Sequence, residues 1–237
     1  MKKLYTLVVL LLMSFLIASC SKKDDNPNGP GTNDTAPGIP TVTFKGPNTN
    51  STDQFALLTK SSVESMNAYP MLFYGVFASI PPSNSDGKWQ WVVKPGGTAT
   101  ETFTASKNSD GSFTWKLILN GTIDNNSYNN WKALEGTTSA DGKNGNWKIF
   151  DDNTTILVGE FNWSTNSGGI LSGTMLSYNN GVASGKIEVV NNPDNSGSLK
   201  VYGETNVLEF LSTWKADGTG TWHSYDNGVE KTNGNWQ

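Results

Sequence analysis

Three glutamates lie within runs of alternating apolar and polar residues, and paired carboxylates are the groups that hydrolyse glycosidic bonds. They are Glu101, Glu160 and Glu188. Because such alternation is typical of strands, the three side chains could share the inner face of a sheet. Two carboxyl groups about 5–9 Å apart would provide the acid and the nucleophile or base of a glycoside hydrolase. The sequence does not fix that separation, and glutamate on a solvated face is commoner, so glycan hydrolysis ranks third among the candidate functions.

Tryptophan is the second residue type with a chemical use, because its flat ring stacks on sugars and its indole N–H donates a hydrogen bond. Most of the nine tryptophans alternate with Ile, Leu or Val, which is the pattern of a packed core. Trp222 and Trp236 have Gly, Thr and Asn neighbours instead. Together with Asn235, they are the predicted ligand-binding residues, and a glycan is the predicted ligand.

Rare residue types exclude other chemistries. The chain has one His, His223, one Cys, Cys20, and no Arg, and its formal net charge is -4. Zinc and most transition-metal sites need several His or Cys ligands, so we expect no metal and no cofactor. An acidic chain without Arg is also poorly suited to neutralising phosphates, so we expect no nucleic-acid partner. Ser-His-Asp catalysis would depend on His223 alone, and we expect no enzyme activity.

The N-terminus has the layout of a cleaved export signal. A basic start, residues 1–3, is followed by an apolar run from Leu4 to Phe15 and then by Leu16-Ile17-Ala18-Ser19-Cys20. A transmembrane anchor is the alternative, but residues 4–19 are short for a span, which needs about 20 apolar residues. A lone cysteine directly after small residues resembles the lipobox of bacterial lipoproteins.

This resemblance to bacterial lipoproteins implies a lipid anchor. In that family the signal peptide, here residues 1–19, is removed just before the cysteine, whose thiol carries a diacylglyceryl group. Ser21, rather than Asp, follows Cys20, which in this family favours the outer membrane. Residues 22–25, Lys-Lys-Asp-Asp, resemble the charged signal of surface lipoproteins. The resemblance therefore implies an outer-membrane protein held by the lipid on Cys20, with its domain on the periplasmic face or at the cell surface.

Residues 20–52 are predicted to form the lipidated cysteine and a flexible tether. Asn, Pro, Gly, Thr, Asp and Lys predominate there, and too few apolar residues are present to offset the entropy lost on ordering. Thr41-Val42-Thr43-Phe44 is the exception, and we predict a short strand or a docking point for it.

Residues 53–82 are predicted to form a helical, apolar segment that plugs or caps the rest of the domain. Ser51 and Gln54 have the spacing of a capping box, which predicts an N-cap at Ser51. Residues then recur at steps of three and four: Phe55, Leu58, Ser62, Met66 and Tyr69. Residues 71–80 are strongly apolar, and their conformation stays open between strand and helix, with helix favoured.

From residue 83 to residue 237 the period changes to two. Apolar alternation flanks Asn-Gly and Asp-Gly pairs, which are strong hairpin signals, and gives about twelve candidate strands. The predicted fold is all-β, an antiparallel up-and-down meander closed or nearly closed into a barrel, with segment 53–82 packed into or across it. Whether such a barrel is hollow stays open. A transmembrane barrel is disfavoured because several strands carry charges or amides on both faces.

These observations predict a lipid-anchored envelope protein with a non-catalytic binding role and a glycan as its ligand. The main alternative is a structural or assembly lipoprotein whose partner is another envelope protein. An exposed flat apolar patch would favour the protein partner, and exposed tryptophans beside Asn and Asp would favour the glycan.

Overall fold

The computed structural model describes residues 35–68, 77–85, 87–123 and 125–237. Within them, thirteen strands form one antiparallel sheet, in which each strand pairs with the next along the chain. The predicted all-β meander is therefore confirmed, with one strand more than the twelve expected. The first and last strands are not paired with each other in the described part of the chain, so the barrel is nearly closed rather than closed.

One helix, α1 (Gln54–Met66), precedes the sheet in the described residues. The strands are β1 (Ser83–Ser85), β2 (Lys88–Gly96), β3 (Ala99–Lys107), β4 (Phe113–Ile123), β5 (Asn126–Thr138), β6 (Asn144–Phe150), β7 (Leu157–Thr165), β8 (Leu171–Asn179), β9 (Val182–Asn191), β10 (Gly197–Tyr202), β11 (Leu208–Trp214), β12 (Gly220–Asp226) and β13 (Val229–Trp236).

Alternation along the strands gives the sheet two different faces. On β3, Glu101, Phe103 and Ala105 are buried and the residues between them are half-buried. The register brings buried residues together across the sheet, because Phe103 lies opposite Trp91 on β2 and Leu117 on β4. We call this buried side the inner face and the other side the outer face.

Tryptophan rings fill the inner face by lying across glycines of the neighbouring strand. Such pairs include Gly145–Trp163, Gly197–Trp214 and Gly220–Trp236. A Cβ atom at any of these glycines would collide with the indole ring. Each indole N–H donates a hydrogen bond of 2.7–3.0 Å to a carbonyl in the turn before that glycine: Gly142, Asn195 and Gly218. The rings and these turns therefore lie at the same end of the sheet.

Helix α1 packs against the inner face, as the predicted fold requires. It buries Ala56, Thr59, Val63 and Met66, and the Thr59 hydroxyl donates to Ser212 Oγ on β11 at 2.9 Å.

The predicted N-cap at Ser51 is wrong, because the helix begins later. Asp53 is the N-cap, and its Oδ1 accepts from the backbone N–H groups of Phe55 and Ala56 at 2.8 and 3.1 Å. Ser51 Oγ instead accepts from the backbone N–H of Asp53 at 3.2 Å. A carboxylate adjacent to the first helical residues reaches these donors directly, so the serine is left to order the turn before the helix.

Part of the segment assigned to the tether lies against the sheet. Pro40, Val42, Phe44 and Pro47 are buried, and the rings of Phe44 and Phe161 on β7 meet edge to face at 6.2 Å. We call residues 40–47 the strap. The strap forms neither helix nor strand in the structure, so the docking alternative describes it better than the strand alternative.

Several predicted features fall outside the described residues: the signal peptide, Cys20, residues 21–34 of the tether and residues 69–76. Of the apolar run at 71–80, Phe77 is described and is buried, with its ring stacked on Phe103 at 5.0 Å. Among the residues that the structure describes, none of the helices is both long and apolar enough to cross a membrane.

Candidate binding face on strands β7 to β10

The three predicted ligand-binding residues do not converge. Trp222 and Trp236 lie on the inner face, opposite Gly234 and Gly220 respectively. Asn235 lies between Gly234 and Trp236 along β13, so its side chain is on the outer face, where it is exposed. Side chains on opposite faces of one sheet cannot contact the same small ligand.

Both tryptophan rings contribute to packing. Trp236 is 3% exposed, and its indole N–H donates to the Gly218 carbonyl at 2.7 Å. One face of Trp222 is covered by Phe55, with 3.7 Å between the ring centroids. The Trp222 indole nitrogen is buried and has no hydrogen-bond partner in the described part of the chain. Trp236 therefore offers no free ring face to a sugar, and Trp222 offers one at most.

The three glutamates are divided between the two faces, so the prediction that they share the inner face is wrong. Glu101 is buried on the inner face, between Val93 on β2 and Leu119 on β4. Glu160 and Glu188 are half-buried on the outer face, because each is followed in sequence by a buried inner-face residue. Alternation predicts two faces but not which one is inside.

Glu101 is the one charged residue that is buried in the described part of the chain. It is 9% exposed, and its Oε2 has no hydrogen-bond partner there. Burial among apolar neighbours raises the pKa of this carboxyl, because the charged form is poorly solvated.

The outer face of β7 to β10 carries an ordered polar network. Glu160 on β7 accepts from Asn162 Nδ2 at 2.9 Å and from Tyr178 Oη on β8 at 3.4 Å. Asn162 Oδ1 accepts in turn from Asn146 Nδ2 on β6 at 3.3 Å. Burial and then the charge of Glu160 raise the pKa of Tyr178, so its hydroxyl remains a donor.

The second half of this network is centred on Glu188 of β9. Lys186 Nζ lies 2.9 Å from Glu188 Oε1, and Tyr202 Oη on β10 donates to Glu188 Oε2 at 3.0 Å. Lys186 Nζ also lies 3.8 Å from the centroid of the Tyr202 ring, within cation–π range. Burial acts to raise the pKa of Glu188, but the hydrogen bonds from Lys186 and Tyr202 outweigh it and lower that pKa.

The strand register joins the two halves into one surface. Leu176 on β8 is paired with Glu160 on one side and with Lys186 on the other. Thr174, two residues earlier, is paired with Asn162 and with Glu188. Four neighbouring strands span about 14 Å at the usual strand spacing. We call this set the outer patch: Glu160, Asn162, Thr174, Leu176, Tyr178, Lys186, Glu188 and Tyr202.

The outer patch offers fixed hydrogen-bonding groups and two tyrosine rings. Its charged, amide and tyrosine side chains hold each other in place, so a ligand would meet groups that are already oriented. Lys148 lies opposite Glu160, and Lys200 lies opposite Glu188, so charges of both signs alternate across it. No cluster of three or more metal-ligating side chains exists in the described residues. Binding of an uncharged, hydroxyl-rich molecule is the chemistry that suits this arrangement.

His223 lies outside the patch, on the outer face of β12. Its Nδ1 is 3.2 Å from Glu230 Oε2 on β13. Hydrogen bonding from Asn233, and then His223, lowers the pKa of Glu230. The pair links two neighbouring strands, β12 and β13. In the described residues, no serine hydroxyl is hydrogen-bonded to His223, as the Ser-His pair of a catalytic triad would be.

The sequence carries a signal for the outer patch, although the predicted ligand-binding residues do not include it. Tyr178, Lys186 and Tyr202 each stand two residues from another patch residue or from a charge of the same outer face, Leu176, Glu188 and Lys200 respectively. Tyrosines and charged residues at a spacing of two on successive strands mark an outer face with its own chemistry.

Comparison of the chain with known protein families finds no family model that matches it, and comparison with curated proteins finds no match either.

Proposed function

We propose that this protein is a lipid-anchored, non-catalytic binding protein of the outer membrane, and that its outer patch binds a glycan. The observation that carries the proposal is the network in which Tyr178 and Tyr202 donate to Glu160 and Glu188. Sugar hydroxyls need both donors and acceptors, and their apolar ring faces pack on aromatic rings. The anchor rests on the lipobox resemblance of residues 16–20 and on Cys20 as the lipidated residue.

The binding test measures glycan affinity for the mature chain, residues 20–237, with Cys20→Ser to keep it soluble. A glycan panel is screened first, and calorimetry then gives the dissociation constant for any binder. Tyr202→Ala and Tyr178→Ala are each expected to weaken binding at least ten-fold, which corresponds to about 1.4 kcal/mol. Tryptophan emission is a poor readout, because Trp163, the tryptophan nearest the patch along β7, is buried on the inner face.

Tyr225→Ala is the matched control, because Tyr225 is a half-buried tyrosine of β12, away from the patch. It should leave glycan affinity unchanged. Equal losses in all three tyrosine variants, or no binding by the unaltered protein, would remove the glycan proposal.

The anchor has a separate test. Cys20→Ser should move the protein from the outer-membrane fraction to the soluble fraction or leave it unprocessed, and mass spectrometry of the unaltered protein should find acyl chains on Cys20. A membrane-bound Cys20→Ser protein with its signal removed would contradict lipid anchoring.

A protein partner is the second candidate function, and exposed aliphatic side chains favour it. Val182 and Val229 are 71% and 65% exposed, and each directly follows an Asn-Gly turn at the end of the sheet away from the tryptophan-bonded turns. Isolated exposed residues of this kind are common, so this candidate ranks second. Val182→Asp with Val229→Asp should abolish capture of an envelope protein while glycan binding stays unchanged.

A further inference from the structure

The strap is held in the way that proteins hold a bound peptide. Pro40, Val42 and Phe44 are buried, while Thr41 and Thr43 between them are exposed. Such alternation normally accompanies a strand in a sheet. In the structure the strap belongs to no strand ladder, so its backbone groups must be satisfied in another way.

Side-chain amides take the place of a neighbouring strand. Asn67 Oδ1 accepts from the Phe44 N–H at 2.7 Å, and Asn67 Nδ2 donates to the Phe44 carbonyl at 2.9 Å. Asn191 does the same for Lys45, with both distances at 2.8 Å. Two amides thus bracket two consecutive residues, and each satisfies one N–H and one C=O.

A glycine on β8 forms the slot for the anchoring ring. Phe44 is 1% exposed, and a Cβ atom on Gly173 would collide with the Phe44 ring. Phe161 on β7 meets the same ring edge to face at 6.2 Å. The slot accepts a flat ring because this position lacks a side chain.

Two further contacts involve Lys45 and Gly46, the residues that follow Phe44. Lys45 Nζ donates to Asn195 Oδ1 in the β9–β10 turn at 2.9 Å. A Cβ atom on Gly46 would lie 3.1 Å from the Cα of Lys60 on α1, which is tighter than ordinary contact. The site therefore suits an aromatic residue followed by Lys and Gly.

Main-chain hydrogen bonds with alternate side chains in pockets are how extended peptides are recognised. We propose that Asn67, Phe161, Gly173, Asn191 and Asn195 form a peptide-binding groove, which the strap fills in cis and which takes a peptide of the same pattern in trans once the strap is released. The ligand class is an extended peptide with a buried aromatic residue followed by Lys-Gly. This proposal is independent of the glycan patch, which lies on the other face of the sheet.

Release of the strap needs only local opening. The strap forms no ladder to a strand. It is held by two amide brackets, one lysine and the buried residues Pro40, Val42, Phe44 and Pro47, whereas Leu199 lies in the middle of the sheet and is fully buried. Segments of this kind open at lower free energy than the core. Once the strap is released, the slot at Gly173 and both asparagine amides become free for another peptide.

The test uses a fluorescent peptide of residues 38–48 and the mature chain. Its affinity is measured by anisotropy for the unaltered protein and for Phe44→Ala, whose own strap lacks the anchoring ring. We expect Phe44→Ala to bind the peptide at least ten-fold more tightly than the unaltered protein does. Adding Asn191→Ala should remove at least ten-fold of that affinity, and a peptide with Phe44→Ala should not bind.

Asn233→Ala is the matched control in the Phe44→Ala background, because Asn233 is an exposed asparagine on β13 that bonds to Glu230. It should leave peptide affinity unchanged. A folded Phe44→Ala protein, judged by circular dichroism, that fails to bind the peptide would overturn the proposal.

If Phe44→Ala does not fold, hydrogen exchange of the unaltered protein tests whether the strap opens while the rest of the domain stays folded. The amides of Phe44 and Lys45 should exchange at least ten-fold faster than that of Leu199, and Asn191→Ala should accelerate exchange at Lys45 further. Equal protection of all three amides would show that the strap opens only when the domain unfolds, and the groove would then have no use in trans.

Discussion

The inner and outer faces of the sheet come from the same strands but use aromatic residues in opposite ways. On the inner face, indole rings lie across glycines and donate their N–H groups to turn carbonyls, as Trp214 does over Gly197. On the outer face, the rings belong to tyrosines such as Tyr202, whose hydroxyl donates to a carboxylate. The indole N–H groups of Trp163, Trp214 and Trp236 are satisfied by backbone carbonyls, whereas the tyrosine hydroxyls of the outer patch are satisfied by charged side chains.

The difference shows where recognition chemistry remains available. Backbone carbonyls that accept indole N–H groups are fixed and covered by the ring, so they cannot be offered to a ligand. Carboxylates that accept from tyrosine keep further lone pairs and stay partly in contact with water. The tryptophans therefore determine stability, while the half-buried tyrosines and glutamates provide the binding chemistry.

The largest expected effect tests the ring-over-glycine packing of the inner face. Gly197→Ala places a Cβ atom in collision with both the Trp214 ring and the Val190 carbonyl. Because one of these neighbours is backbone, the conflict cannot be relieved by a rotamer change. We expect the free energy of unfolding to fall by about 3 kcal/mol, as for other overpacked cores, measured by urea denaturation.

Gly185→Ala is the matched control on the adjacent strand β9. Its Cβ atom would lie 3.7 Å from the Tyr202 carbonyl, an ordinary contact. Alanine restricts the unfolded chain, so this variant should be unchanged or more stable by up to about 1 kcal/mol. Similar losses of unfolding free energy in both variants would mean that alanine destabilises these strands whether or not a tryptophan ring lies over the glycine.

The next prediction concerns Glu101, the residue that departs from the apolar character of the inner face. Its pKa is raised in the folded state, so the folded protein holds this proton at pH values where the unfolded chain has lost it. The contribution of protonated Glu101 to stability is therefore fully present below the ordinary glutamate pKa. It is lost as pH rises through the raised pKa of the folded state. Glu101→Gln should remove this loss, so that the free energy of unfolding of the variant, relative to that of the unaltered protein, grows as pH rises from 4 to 8.

Unfolding in urea at several pH values measures that difference. Glu204→Gln, which alters an exposed residue of the β10–β11 turn, should follow the pH dependence of the unaltered protein. Parallel pH profiles for Glu101→Gln and the unaltered protein would show that the Glu101 carboxyl is solvated in the folded state.

The fold was predictable because hairpin turns and alternation are local signals. Asn180-Gly181 and Asn227-Gly228 have the positive φ values that two-residue hairpins require, and a chain of such hairpins can form only a meander. Residues 140–151 and 216–226 resemble each other in sequence. Each comprises a turn and the strand that follows it, and in each a glycine of that strand, Gly145 or Gly220, lies under a tryptophan ring of the next strand.

The site was less predictable because a period of two does not say which face is inside. Glu101 and Glu160 both stand in alternating runs, yet one lies inside and the other outside. The deciding information is non-local, since it depends on which residues α1 and the strap cover. The strap itself, at Phe44, was recognisable only as an apolar interruption in a polar tether, because its partner Gly173 lies more than 120 residues away.

The smallest expected effect tests whether the outer patch is held in place by its own hydrogen bonds. Tyr202→Phe keeps the ring but removes one of the two donors to Glu188. The pKa of Glu188 should then rise towards its ordinary value while remaining below it, because Lys186 still pairs with the carboxylate. The site is partly exposed, so the free energy of unfolding at pH 7 should fall by only about 0.5 kcal/mol.

The pH dependence gives this small effect a clear signature. A carboxyl whose folded pKa is lowered contributes stability above its unfolded pKa, and this is lost as pH falls through the folded value. The difference between Tyr202→Phe and the unaltered protein should therefore shrink in acid, and an NMR titration should show the Glu188 shift directly. Tyr178→Phe, whose hydroxyl bonds to Glu160 instead, should leave the pKa of Glu188 in place. If Tyr202→Phe also left it in place, the tyrosine would be free to rotate, and the contrast between a fixed outer patch and an ordinary solvated face would disappear.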